Sequence, residues 1–157
     1  MDLTATAGLE ASSAQILLAE IGTDMSKWPT EKHFASWLGV APHNDISGGK
    51  VWRSKPLKGN RRAAQVLRLA AQTLGHTQTA LGSYYRRMRT RKGPAHAITA
   101  TAHKLARILY HVLKYRTPYQ PQSQESYDHH LRQRTIRHLK HTAARLGFIL
   151  TPQPAAA

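Results

Sequence analysis

The chain has 157 residues, of which 41% are hydrophobic, and it carries no cysteine. This length and apolar fraction fit one folded domain, and the lack of cysteine excludes disulfides and thiolate metal sites, as is usual in a reducing cytoplasm. The formal net charge is +15. The sequence has no apolar run of transmembrane length and no signal-peptide pattern, so we expect a cytoplasmic protein without a membrane partner.

The basic residues are concentrated in one block. Between residues 46 and 124 there is no Asp or Glu, whereas Lys and Arg occur sixteen times. An ordinary solvated surface mixes both signs of charge, so a one-signed block of this length predicts a polyanionic partner. We expect nucleic acid, because Lys and Arg neutralise phosphates and release their counterions. A membrane surface is the alternative, but it would require an amphipathic anchor, which the sequence lacks.

The N-terminal third predicts two short helices. Residues 11–21 have apolar residues at helical spacing and end at Gly22, and Thr30 caps a second helix over residues 31–40. Two short helices in succession resemble a helix-hairpin-helix unit, which grips the DNA backbone through main-chain N–H groups. A plain αα-hairpin that packs the core is the open alternative.

A basic loop is predicted next, over residues 41–58, with a short extended piece at Val51 and Trp52. Two glycines follow Ser47 and let the backbone turn tightly, so that peptide N–H groups can form an anion site. On the residues alone, an ordinary turn in which Ser47 bonds its own backbone is the stronger interpretation. The nucleic-acid-binding candidates of this region, which hold phosphate in the functional interpretation, are Gly48, Gly49, Lys50, Arg53, Lys55, Lys58, Arg61 and Arg62.

Four further helices complete a predicted all-α fold. The helix over residues 60–74 is apolar around much of its circumference, so we expect it to be central. The helices over residues 79–92 and 94–116 follow, and a basic helix over residues 127–146 is expected to lie on a partner or another domain. Aromatic and basic residues adjoin at the end of the fourth helix, which suits nucleic acid, although core packing of the rings is the alternative. The binding candidates on these helices are Arg86, Arg87, Arg89 and Lys104.

By composition, we divide the chain into a compact helical domain over residues 8–116, a linker over 117–126, a C-terminal basic helix over 127–147 and a disordered tail over 148–157. The acids are few and scattered, and a two-metal nuclease needs several converging carboxylates. The histidines lack the clustered partners of a zinc site. We therefore expect no metal or cofactor to be bound by this chain.

Several runs of residues resemble one known family in their order and spacing. They are LLAEIG (17–22), FASWLGVAP (34–42), ISGGK (46–50), KGNRR (58–62), YYRRM (84–88) and AITATAHKLAR (97–107). Together they are similar to the C-terminal transposase domain of bacterial insertion-sequence transposases of the "one-ten" type, the DEDD recombinases guided by a bridge RNA. The resemblance covers about residues 8 to 147.

The resemblance implies a function in DNA transposition. Full-length members carry an N-terminal RuvC-like domain whose four acidic residues bind Mg²⁺, and their C-terminal domain supplies a serine that attacks DNA and becomes joined to its 5′ phosphate. That role falls on Ser47, with Ser54 as the fallback. Because the acidic domain is absent from this sequence, the resemblance implies a truncated or separately encoded piece. Such a piece would be inactive alone, would oligomerise with full-length transposase, and would bind DNA and a guide RNA. A non-catalytic nucleic-acid-binding module is the alternative.

Overall fold

The computed structural model describes residues 3–6, 8–56 and 59–151, and it describes the backbone but not the side chains at 53–56 and 61. The part of the predicted tail beyond residue 151 lies outside these ranges. In chain order, the elements of the described residues are α1 (Ala11–Ile21), α2 (Glu31–Leu38), β1 (Pro42–Ser47), β2 (Lys50–Pro56), α3 (Arg61–Leu74), α4 (Ala80–Lys92), α5 (Pro94–Tyr115) and α6 (Gln124–Arg145). The predicted helical fold is confirmed, and a two-stranded sheet replaces the predicted basic loop.

Side-chain caps fix where several helices begin. Each capping oxygen accepts a hydrogen bond from a backbone N–H in the first turn and so satisfies a donor that the helix cannot. The capping residues are Thr30, Asn60, Thr79 and Ser123. Because Ser123 caps α6, that helix begins three residues before its predicted start and takes residues assigned to the linker.

Helices α3 and α5 form the centre of the molecule. Helix α3 packs against α1, α2, α4 and α5, and α5 packs against α2, α3 and α4. Nine residues of α5 are buried, including Leu105 and Leu109. The central place predicted for the third helix is confirmed. It is not buried all around, since Leu69 is 54% exposed.

An aromatic cluster holds α2 against α5. The ring centroids of Trp28, Phe34 and Trp37 lie 4.7–6.2 Å apart, and Phe34 also contacts Tyr110 of α5 at 5.8 Å. The Tyr110 hydroxyl lies 3.0 Å from the carbonyl oxygen of Trp28 and 2.9 Å from that of Pro29. Since edge-to-face and tilted ring pairs stabilise beyond the area that they bury, this cluster fixes α2, from whose end the hairpin departs.

The two N-terminal helices have different main neighbours. Helix α1 packs chiefly against α3, whereas α2 packs chiefly against α5. The helix-hairpin-helix interpretation of this region stays a prediction.

Helix α6 lies along the outside of the domain. It packs against α4, and none of its residues is buried. After it, Phe148 and Ile149 are 71% and 91% exposed. The helix was predicted to lie on a partner or another domain rather than in the core; in the structure it contributes no buried residue but packs against α4 of this domain, and contact with a partner stays a prediction. Within residues 3–6, 8–56 and 59–151, no helix has the length and apolar character needed to cross a bilayer.

Candidate nucleic-acid interface

Ser47 lies at the tip of the β-hairpin. It pairs with Lys50 across a turn formed by Gly48 and Gly49, whose φ angles are 56° and 74°. A type I′ turn requires positive φ at both central residues, and glycine adopts such angles without steric cost. The prediction therefore found only part of the extended structure: residues 51–52 lie within the longer strand β2. The signal that could have revealed the hairpin was the Gly-Gly pair between two extended runs.

The hairpin stands in solvent. All six residues of β1 are exposed, and so are the first three of β2, Lys50, Val51 and Trp52. The contacts of each strand are chiefly with the other strand. Among the side chains that the structure describes, none hydrogen-bonds the Ser47 hydroxyl. The Ser47 hydroxyl is thus exposed, and no base among the described side chains is hydrogen-bonded to it.

The base of the hairpin is fastened between α2 and α3. The Asn60 backbone N–H donates to the Trp37 carbonyl at 3.1 Å, and Arg68 Nη2 donates to the Gly39 carbonyl at 3.1 Å. A Cβ at Gly59 would lie 2.3 Å from the Gly39 nitrogen and 2.4 Å from the Trp37 oxygen, so no larger residue fits there. Both ends of the hairpin are therefore attached to the same small region.

The predicted cations around the hairpin differ in how far they are described. Arg62 is 72% exposed and its Nη1 lies 3.6 Å from Glu20 Oε1, while Glu20 Oε2 accepts a hydrogen bond from Asn60 at 3.0 Å. The Glu20 carboxylate lies at the N-terminus of α3, where the helix dipole favours an anion. It therefore offsets the loss of stability that the basic residues in the first turn cause. Lys58 lies outside the described residues. The backbone but not the side chain is described for Arg53, Lys55 and Arg61.

The guanidinium of Arg86 hydrogen-bonds to other groups of the protein. It donates to the carbonyl oxygens of Gly75 at 3.2 Å and Thr77 at 2.8 Å, and makes longer bonds to Ser83 Oγ (3.3 Å) and Gln124 Oε1 (3.4 Å). These bonds satisfy carbonyls left free at the end of α3 and tie the start of α6 to α4. The predicted nucleic-acid contact of Arg86 is untested, and its structural role was not evident from the sequence.

Lys104 and Arg87 form a second basic group. Lys104 Nζ lies 4.0 Å from the ring centroid of Tyr84 and 5.8 Å from that of Tyr127, and Arg87 Cζ lies 5.7 Å from the Tyr84 ring. Burial lowers the pKa of Lys104, and the positive charges of Arg87 and Arg107 lower it further. Among the described residues, the buried Nε of Arg87 has no hydrogen-bond partner. Sequence reasoning missed Tyr127, because it was placed just after a linker.

Arg89, the remaining candidate on α4, is exposed in the last turn of that helix. The negative end of the helix dipole stabilises the positive charge of Arg89, and the side chain remains accessible to a ligand. Arg86, by contrast, hydrogen-bonds to the α3–α4 turn and to α6. Lys104 and Arg87 contact the ring of Tyr84 on α4, and Lys104 also contacts the ring of Tyr127 on α6. The structure therefore divides the predicted residues into a hairpin group and an α4–α5 group.

A cavity of about 430 Å³ opens beside the α4–α5 group, between α5 and residues 117–127. Its wall includes Lys104 and an ion pair in which Glu31 Oε1 lies 2.6 Å from Arg107 Nη2, while Glu31 Oε2 lies 2.7 Å from His111 Nε2. The hydrogen bond from Arg107 is the main reason that the pKa of Glu31 is lowered. In the part of the chain that the structure describes, no three His, Asp or Glu side chains converge as metal ligands.

The sequence matches the profile of the Transposase IS116/IS110/IS902 family over residues 2–86, which is more than half of the chain. The chain belongs to this family. The family predicted from the runs of residues is thereby confirmed. In this transposase-family chain the match takes in the whole hairpin, Ser47 and Arg86.

A curated relative is the "Insertion element IS110 uncharacterized 43.6 kDa protein" of Streptomyces coelicolor. It is 31% identical to this transposase-family chain over 120 residues, which are 75% of this chain and 29% of the relative. The chain thus spans less than a third of the length of that relative.

Proposed function

We propose that this chain binds DNA and supplies Ser47 as the nucleophile of DNA strand exchange. One observation carries the proposal: in a transposase-family chain, Ser47 stands exposed at the hairpin tip, within a block free of acidic residues. Its Oγ would form a bond to phosphorus as the P–O3′ bond breaks. The products are a serine joined to the 5′ phosphate and a free 3′ hydroxyl, with the serine proton passing to a base and the 3′ oxygen gaining one.

The chemistry requires groups that the described residues do not hold. A serine hydroxyl is a weak nucleophile until a base or a metal activates it. Because the described acids do not converge, they do not fit Mg²⁺, and we place that ion in a RuvC-like domain outside this sequence. The part of this chain is to orient the phosphodiester and to stabilise its developing charge with Lys50, Arg53 and Arg62.

We further propose that the chain acts within a larger assembly. The described acids do not converge as metal ligands, which supports action together with full-length transposase in an oligomer that supplies the missing groups. The sixteen cations between residues 46 and 124 support DNA as the partner, with a bridge RNA as a second polyanion.

The test supplies the acidic domain in trans, with Mg²⁺, guide RNA and end-labelled target DNA, and looks for a protein–DNA adduct on a denaturing gel. Ser47→Ala should abolish the adduct and leave DNA retention intact. Ser54→Ala is the matched control, because Ser54 pairs with Asn44 farther from the turn. An adduct that survives Ser47→Ala would refute Ser47 as the nucleophile, and one that survives Ser47→Ala but disappears with Ser54→Ala would assign the role to Ser54.

A non-catalytic nucleic-acid-binding module is the second candidate. The observation that favours it is the absence of a described base beside the Ser47 hydroxyl. It predicts salt-dependent retention of nucleic acid with no adduct under any of these conditions, since phosphate contacts release counterions whether or not chemistry follows. Competition between duplex DNA and structured RNA would show which of the two polymers it prefers.

A further inference from the structure

Trp52 is the most exposed aromatic ring of the hairpin. It is 82% exposed, whereas Trp28 is 7% and Trp37 is 37% exposed within the aromatic cluster. The neighbouring apolar residues Ile46 and Val51, which pair across the strands, are 66% and 55% exposed. Leaving a side chain as large as tryptophan in water forgoes a large hydrophobic stabilisation, so its place on a projecting hairpin indicates a ligand.

A β-bulge sets the position of Trp52. Ile46 pairs with Val51, but the next residue back on β1, Asp45, pairs with Arg53. Trp52 is therefore the extra residue of β2, with no partner across the strands. Bulges increase the local twist and redirect side chains, and they are enriched beside active sites.

The charge of the hairpin selects the class of ligand. Strand β2 carries Lys50, Arg53 and Lys55, and no acid occurs from residue 46 to residue 124. The one acid of β1, Asp45, lies 3.3 Å from His43. An aromatic ring among cations provides both a stacking surface for a base and counter-charges for the phosphates on either side of it.

We propose that Trp52 stacks on an unpaired base of the DNA strand that Ser47 attacks, and so selects the phosphodiester presented to the serine. This inference rests on the proposed function. Trp52 is two residues from Lys50, the partner of Ser47, or about 7 Å along the strand. For comparison, successive phosphates of one strand of duplex DNA lie about 3.4 Å apart along the helix axis, so the ring and the serine are within a few nucleotides of each other. Trp52 is thus a positioning residue, which sets the register of the DNA without entering the reaction.

The test measures binding of the full chain to a single-stranded oligodeoxynucleotide and to one of equal length made of abasic sites. Trp52→Ala should weaken binding to the base-containing strand by about 5- to 100-fold and leave binding to the abasic strand unchanged. Trp52→Phe, which keeps a ring, should recover most of the loss. Val51→Ala, an apolar change on the same strand, should bind like the unaltered chain. Stacking should also quench tryptophan fluorescence only with the base-containing strand, and Trp52→Phe should remove that quenching.

The outcomes separate the inference from the function beneath it. If the unaltered chain binds neither strand, the proposed function fails. If it binds both in a salt-dependent way but Trp52→Ala binds both equally well, the stacking role is overturned while the function stands. If Trp52→Ala instead dissociates an oligomer in sedimentation and leaves DNA binding unchanged, Trp52 contacts protein and the inference is again overturned.

Discussion

At Gly59, between the hairpin and α3, the chain passes the end of α2 at a distance that admits no side chain. Gly59→Ala would force a Cβ to 2.3–2.5 Å from the backbone of residues 37–39. Because backbone cannot yield as a flexible side chain can, we expect the free energy of unfolding to fall by about 1–3 kcal/mol or more, measured by urea denaturation.

Gly49→Ala is the control for this change. Gly49 has a φ of +74°, but a methyl group added there would have no neighbouring atom within 4 Å, so its cost is local strain of about 1–2 kcal/mol at the hairpin tip. Global unfolding of the helices should barely respond to it. The steric account would be refuted by a Gly59→Ala chain as stable as the unaltered one.

The carboxylate of Glu31 makes the folding stability depend on pH in the acidic range. Its pKa lies below the ordinary value of 4.5, chiefly because Arg107 donates a hydrogen bond to it, with His111 adding to the effect. A depressed pKa in the folded state contributes stability above the unfolded value, and that contribution is lost as the pH falls through the folded value. Glu31→Gln should therefore be less stable at neutral pH and should lose less stability below pH 4.5. Thermal unfolding across that range measures it, and equal acid sensitivity of both chains would contradict the assignment.

At the scale of the element, Arg86 and Arg89 on α4 offer a comparison of structural and accessible arginines. Arg86→Met removes hydrogen bonds to Gly75 and Thr77 and should cost about 1.5–3 kcal/mol of stability. Arg89→Met, one helical turn later and exposed, should leave stability within about 0.5 kcal/mol and weaken only binding to nucleic acid. Chemical denaturation combined with DNA retention tests both, and equal stability of the two variants would exclude the structural role.

The helices could be predicted from sequence because their ends are set locally. Thr30, Asn60 and Thr79 cap with their own side chains, so the first residue of each helix needs no tertiary information. The hairpin could not be predicted in the same way. Strand β1 is exposed on every residue and so lacks the alternation of apolar and polar residues that marks a half-buried strand.

The candidate site was predicted more completely in its residues than in its arrangement. Ser47, the glycines and Lys50 fall together at one tip, as their adjacency required. The division of the remaining cations was not predictable, because Arg86 binds carbonyls 9 and 11 residues away in sequence and Lys104 lies between rings of two other helices. Such contacts depend on the packing of α4, α5 and α6, which no local pattern specifies.

At the scale of the whole molecule, the C-terminal region is separable from the core. Helix α6 has no buried residue, and its polar tie to Arg86 is at Gln124, in its first turn. A chain ending at residue 131 should keep its helical body, with an unfolding midpoint within about 2–4 °C of the full chain by circular dichroism. A large drop would show that the outer part of α6 supports the core.

Because the described contacts of the hairpin with the helices lie near Trp37, Gly39 and Asn60, a small rotation there moves the hairpin tip by a larger distance. Strand β1 has six residues and so extends about 20 Å from its base to Ser47. A tilt of only about 10° at the junction of Trp37, Gly39 and Asn60 would swing the tip by about 3–4 Å over that length. That displacement is comparable to the separation of about 3–3.5 Å required between reacting atoms. In the proposed reaction, the position of Ser47 would thus be set at the other end of the hairpin, by the backbone groups of Trp37, Gly39 and Asn60.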